Sequence, residues 1–225
     1  MNVIEGIQLI PVLELEPFKF SAENRKSPSG ALCDPDEWFR YWSVSLADSG
    51  ITGLQPLRHG SWHVPIVNFD DSNNLQRFLE KTFQDWGGID SLSDPDCKPV
   101  LDGGLVLRCS SSNTFIEPGC CADLGDFRNW KDAVTYRGSD WQMLWIGHPW
   151  ISVRYQSPWL VLSDPHESST PTDRWAVIPE ELNRAVNDAN TDRERFSREI
   201  AGMLRTLVYG EGSKVMGRKL CGFYE

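Results

Sequence analysis

Residues 114–162 read TFIEPGCCADLGDFRNWKDAVTYRGSDWQMLWIGHPWISVRYQSPWLVL, and the fold is decided here. The stretch holds five of the chain's ten tryptophans, two adjacent cysteines and one His-Pro pair. Its second half breaks into three short runs, 141–146, 150–155 and 159–162, rich in aromatic and β-branched residues. Such residues fit a pleated, half-buried surface. The separators Gly147-His148-Pro149 and Gln156-Ser157-Pro158 are short and turn-forming, so the three runs predict an antiparallel meander. A sheet with an apolar face needs a helix packed on it. Residues 123–134 offer a weak one, with Leu124, Phe127, Trp130 and Val134 as its apolar positions. Residues 114–117 form a short strand closed by Pro118-Gly119.

The flanks supply the remaining elements. Residues 3–20 alternate enough to suggest a strand or hairpin, followed by a polar loop over 21–30. Asp34 can cap a helix over 35–49, with Pro35 at its first position and Glu37 at the capping-box spacing. Trp38, Tyr41, Trp42 and Leu46 share one face of it, the pattern of a buried stripe. Residues 63–69 read as a strand. Asp70-Asp71-Ser72 caps a helix over 72–86 whose stripe is Leu75, Phe78, Leu79, Phe83 and Trp86. Residues 88–103 form a loop rich in Gly, Asp, Pro and Ser, the place for a subdivision in a chain otherwise read as one domain over 1–225. Strands are expected at 104–109 and 175–178, with a polar loop at 163–174 between the meander and the second of them. Pro179 opens a helical region read as two helices, the second starting at a Thr191/Glu194 capping box. The glycine-containing tail from 210 reads as loop or a last strand. The expected class is α+β: a mainly antiparallel meander sheet, with helices near 35–49, 72–86 and 180–208 packed mainly on one face.

The totals bound the function. At 225 residues, 40% hydrophobic and 24% charged, the chain is globular and not disordered. Its formal charge of −10 repels nucleic acid and anionic membranes, and favours a basic protein partner or simple solubility. The N-terminal apolar run has no basic residue before it and is broken by Glu5, Glu14 and Glu16, which argues against a secretory signal. No apolar run approaches the ~18 residues of a membrane span. The expected setting is cytoplasmic, where six cysteines without a CxxC pair are reduced and mostly structural.

Several constellations invite chemistry. Cys120-Cys121 follows Pro-Gly and precedes the weak helix, where a thiolate is favoured. With His148 it could form a Cys–His pair or a metal site, the latter with or without Cys109. Adjacent cysteines normally point apart, which argues against a shared ion, and a disulfide between neighbours is strained. His148 in its turn is expected to bond backbone. His59 and His63 have ligand spacing only on an extended segment with a carboxylate nearby. The carboxylate pairs Asp34/Asp36, Asp70/Asp71, Asp94/Asp96 and Asp123/Asp126 sit at turns or helix starts, where backbone capping explains Asp. GxGxxG, Walker, GxSxG and HExxH patterns are absent from the sequence.

The segment FIEPGCCADLGDFRNWKDA, followed by WQMLWIGHPWISVRY, resembles small acidic bacterial proteins with a Cys-Cys-x-Asp-Leu segment and a Gly-His-Pro-Trp turn. These in turn resemble immunity proteins of bacterial toxin systems, in the broad group similar to yeast cell-wall regulator domains (SMI1/KNR4-like). The resemblance covers residues 114–163 at most. It implies a non-catalytic, cofactor-free protein that docks a protein partner, such as a basic toxin domain, by exposed acids and aromatics. The residues expected at that surface are Asp70, Asp71, Asp94, Asp96, Asp123, Asp126 and Trp150. The alternative is a thiol- or metal-dependent enzyme centred on Cys120, Cys121 and His148.

Overall fold

The expected meander forms one side of a five-stranded sheet, from its edge inward, in the computed structural model, which describes residues 1–28, 34–69, 71–89, 92, 99–207 and 212–223. In chain order the elements are β1 (Asn2–Val3), β2 (Ile7–Glu14), α1 (Pro17–Phe20), α2 (Pro35–Ala47), β3 (His63–Pro65), α3 (Ser72–Asp85), β4 (Gly103–Cys109), β5 (Thr114–Ile116), α4 (Phe127–Thr135), β6 (Gln142–Leu144), β7 (Ile151–Gln156), β8 (Trp159–Ser163), β9 (Asp173–Val177), α5 (Pro179–Leu207) and α6 (Gly212–Leu220). The class is α+β. The chain divides into two compact units: Met1–Val12 with Val100–Arg195 and Leu220–Glu225, and Leu13–Pro99 with Phe196–Lys219. One of the boundaries, between Pro99 and Val100, falls within the stretch 88–103 expected as a loop, of which 90–91 and 93–98 lie outside the described residues.

In the first unit β6, β7, β8 and β9 are successive antiparallel neighbours, and β1 adds in parallel beside β9. The register pairs Leu144 with Ile151 and Val153 with Leu162. Apolar side chains therefore fall on common faces. Leu160, Val161 and Leu162 are all buried, so β8 is covered on both faces. Trp130, Ala133 and Val134 of α4, and Leu182, Ala185, Val186 and Ala189 of α5, close the same core. Arg193 is buried in this unit between the rings of Phe127 and Phe223, at 4.2 and 4.3 Å, and donates to the Cys221 carbonyl at 2.6 Å. Stacking and a carbonyl replace the water its guanidinium gives up.

The second unit is built on aromatics. Asp34 caps α2 by accepting from the Asp36 N–H at 2.8 Å, and Trp38, Trp42 and Leu46 are buried. The Trp42 indole donates to the Leu15 carbonyl at 3.0 Å, which satisfies its polar edge. Phe78 of α3 meets Phe20 and Phe69, and Phe69 also meets Phe196. Gly217 of α6 lies so close to α5 that a Cβ would come 2.5 Å from the Ser197 carbonyl oxygen.

Four expectations are corrected. The strand expected over 63–69 stops at Pro65, which has no N–H to continue a ladder, and Ile66–Asn68 form a 3-10 turn. The helix expected over 123–134 begins as a 3-10 turn, Leu124–Asp126, before α4. The two helices expected after Pro179 are one helix of 29 residues, because the Thr191 hydroxyl donates back to the Asn187 carbonyl at 3.1 Å and Glu194 accepts from Asn190, so neither caps a new start. The tail expected as loop or strand contains α6.

Candidate functional site

Two loops of the first unit meet edge to edge. One runs from β5 to α4 through Pro118, Gly119, Cys120 and Cys121. The other is the β6–β7 connection, Trp145 to Trp150. The Gly119 N–H donates to the Ile146 carbonyl at 2.7 Å, and the His148 N–H to the Cys120 carbonyl at 2.9 Å, which makes Cys120 and His148 partners in an isolated antiparallel bridge. The glycines make this approach possible. A Cβ on Gly119 would come 2.2 Å from the His148 carbonyl oxygen, and one on Gly147 would come 2.5 Å from the Gly119 carbonyl oxygen. Gly147 also has φ of +92°, a conformation that side chains strongly disfavour. The peptide bond His148–Pro149 is cis.

The bridge gathers Cys120, Cys121 and His148, all exposed, with the thiol sulfurs and an imidazole nitrogen within 4.8 Å of one another. This corrects the expectation that the two cysteines point apart. In an extended chain successive side chains do diverge. Here Cys121 has φ of +65°, left-handed backbone that β-carbon sterics normally disfavour, and the second thiol turns to the side of the first. The backbone continues to hold the loop beyond it, where the Ala122 carbonyl accepts from Gly103 at 3.1 Å and the Leu124 N–H donates to Leu101 at 3.2 Å. The Cys120 thiol donates to the His148 carbonyl at 3.7 Å. The His148 ring, expected to bond the backbone of its turn, instead stands edge-on to Trp145 at 4.6 Å, and the backbone bond of this residue runs from its main-chain N–H to the facing loop.

Zinc lies ~2.3 Å from thiolate sulfur and ~2.0–2.1 Å from imidazole nitrogen. Tetrahedral ligands at those radii are roughly 3.5–3.8 Å apart. The observed spacing is about one ångström wider at most, within reach of rotamer changes on an exposed surface. Two soft sulfurs and an imidazole suit zinc or another thiophilic ion. Three protein ligands on an exposed surface leave a fourth position for water or an outside ligand.

Trp150 is half-buried in a ring cluster behind His148. It lies 5.9 Å from Trp145, 5.7 Å from His148 and 6.0 Å from His166. His166 donates its backbone N–H to the Trp150 carbonyl at 2.8 Å, and its Nε2 is 2.9 Å from the Ser152 hydroxyl. The sequence reading missed His166, a single histidine in a polar loop with no periodicity to mark it.

Of the carboxylates expected at a partner surface, Asp71 is exposed, Asp123 is half-buried and Asp126 is buried, and each bonds local backbone. Asp71 caps α3 by accepting from the Asn73 N–H at 2.9 Å. Asp123 and Asp126 form a reciprocal capping box: Asp123 accepts from Gly125 at 2.6 Å and Asp126 from the Asp123 N–H at 3.1 Å. Asp70, Asp94 and Asp96 lie outside the described residues. Burial pushes the Asp126 carboxyl up to about 7, over the opposing hydrogen bonds from Asp123 and Asn129. Burial, reinforced by Asp102, also raises Asp123. The Asn129 amide joins Asp126, at 3.1 Å, to the Trp145 carbonyl, also at 3.1 Å, so α4 braces the hairpin that carries His148. His63 is buried against Ser61, at 3.3 Å, while His59 is exposed. Among the described residues, Cys120, Cys121 and His148 are the one group with metal-ligand spacing.

Compared with known protein families, curated proteins and solved structures, the chain matches none. Among the described residues, no helix is long and apolar enough to cross a membrane.

Proposed function

We propose that this protein binds a thiophilic metal ion of the zinc class through Cys120, Cys121 and His148. The convergence of both thiols and the imidazole within 4.8 Å carries the reading. It is supported by the glycine-dependent bridge that holds the two loops together. Binding displaces the thiol protons, because the thiolate is the ligand, so affinity rises with pH. A cytoplasmic setting, which keeps thiols reduced, belongs to the proposal. The test is titration of the reduced, metal-free chain with cobalt(II), whose thiolate charge-transfer bands report sulfur ligation. One equivalent is expected, with affinity weakened at least tenfold in Cys120→Ser, Cys121→Ser and His148→Ala. Absent bands, or bands unchanged by all three substitutions, would refute it.

A second reading is a non-catalytic docking protein of the immunity type, meeting a basic partner. It is supported by the charge of −10 and by Phe18, Val44 and Trp62 of the second unit, which are exposed. Co-expression with a toxin encoded beside it should rescue growth, and substituting Phe18 and Trp62 by Ser should abolish the rescue. Rescue that survives both substitutions, or no rescue at all, counts against this docking surface.

A further inference from the structure

We propose that Cys120 and Cys121 also close reversibly into a vicinal disulfide, so that the metal is held by the reduced pair alone. The inference rests on the metal reading above and assigns its regulation. Both thiols are exposed, while Cys109 and Cys221 of the same unit are buried. Exposure admits an oxidant, and the left-handed φ of Cys121 sets the two sulfurs within 4.8 Å of each other. The loop is held on both sides by backbone bonds, at Gly119 and at Ala122. The pair is therefore kept close without the metal. The His148 imidazole lies within the same 4.8 Å and can take a proton from either thiol.

The oxidant class is a low-molecular-weight disulfide, R–S–S–R. One cysteine thiolate attacks an oxidant sulfur. A protein–S–S–R bond forms, the R–S–S–R bond breaks, and the first RS⁻ leaves. The second thiolate then attacks the protein sulfur of that mixed disulfide. The Cys120–Cys121 bond forms and the second RS⁻ leaves. Each leaving thiolate takes up one of the two protons lost by the cysteines, so the sum is two cysteine thiols plus R–S–S–R giving one protein disulfide plus two RSH. The two protein sulfurs are oxidised by two electrons together, and the oxidant is reduced by the same two. Excess thiol reverses both steps. A disulfide between neighbours closes a strained ring, and strained, exposed disulfides are the easily reduced ones. The strain that argues against a structural bond therefore suits a switch. Closure removes two of the three ligands and discharges the ion.

The full chain is reduced, stripped of metal and divided. One half is titrated with zinc directly. The other is first treated with glutathione disulfide, then titrated, and mapped by tandem mass spectrometry fragmenting between Cys109 and Cys120. The expected result is one zinc equivalent on the reduced chain and affinity at least tenfold weaker after oxidation. The segment containing Cys120 and Cys121 should be lighter by two hydrogens, and dithiothreitol should restore binding. Cys120→Ser and Cys121→Ser should each stop at a glutathione adduct, and His148→Ala should still close, more slowly. A reduced chain that binds no zinc overturns the metal reading. A reduced chain that binds zinc, and keeps it after oxidation or carries glutathione on both cysteines without closure, overturns this inference alone.

Discussion

Cys120-Cys121 and Asp123–Asp126 lie within seven residues of one another and have opposite fates. Both groups offer polar side chains of the kind that binds ions or partners. The carboxylates are occupied by backbone N–H groups, in a capping box at the start of the helical turn. The thiols stand on a stretch whose backbone bonds run to the facing hairpin, through Gly119, Cys120 and His148, and their side chains are exposed beside an imidazole. The contrast shows what residue type and spacing leave out. A candidate ligand is judged by where the neighbouring backbone finds its hydrogen bonds.

The comparison breaks first at the glycines. Gly147→Val places a branched side chain where a Cβ already meets two carbonyl oxygens, at a φ that disfavours it. A loss of about 3 kcal/mol or more is expected in denaturant unfolding, from strain and the lost bridge. An unchanged midpoint would show that the loops meet without that close approach.

The carboxylate side is sharpened by pH. Asp126 titrates about 7 when folded, against 3.8 as its ordinary value. A raised folded value means the native state holds the proton more tightly, so this group's stabilisation is full below pH 4 and fades as pH rises to 7. At about 1.4 kcal/mol per unit, the fading amounts to at most about 4 kcal/mol. Asp126→Asn should lose this part of the pH dependence, read as a flatter stability curve between pH 4 and 7. Parallel curves for the two proteins would contradict the burial account.

Asp71→Ala removes a comparable cap from the second unit and should cost about 1 kcal/mol at neutral pH. The smallest effect on folding is expected at the thiols. Cys120→Ser and Cys121→Ser should change stability by less than about 0.5 kcal/mol without metal, as for exposed substitutions generally. A larger loss would make these cysteines structural.

Much of the fold was legible because its signals are local. The Gly-His-Pro and Gln-Ser-Pro breaks marked the meander, and Asp34-Pro35 marked a helix start. The long α5 was misread because Thr191 and Glu194 match a capping box in sequence while bonding within the helix in space. At the site, the pattern named Cys120, Cys121 and His148, and the loop glycines were visible. The left-handed turn at Cys121 was hidden, since a non-glycine residue there is set by tertiary bonds that no spacing records. His166 was missed because a lone histidine in a polar loop carries no periodicity, and its place behind Trp150 is set by the bridge that extends the β7–β8 hairpin.

X-ray absorption at the zinc edge, on the reduced chain loaded with one equivalent, tests the central claim most directly. The account predicts two sulfurs and at least one imidazole nitrogen around the ion, with one sulfur lost in Cys120→Ser and one in Cys121→Ser. A shell of oxygen and nitrogen alone, or one indifferent to both substitutions, would contradict it.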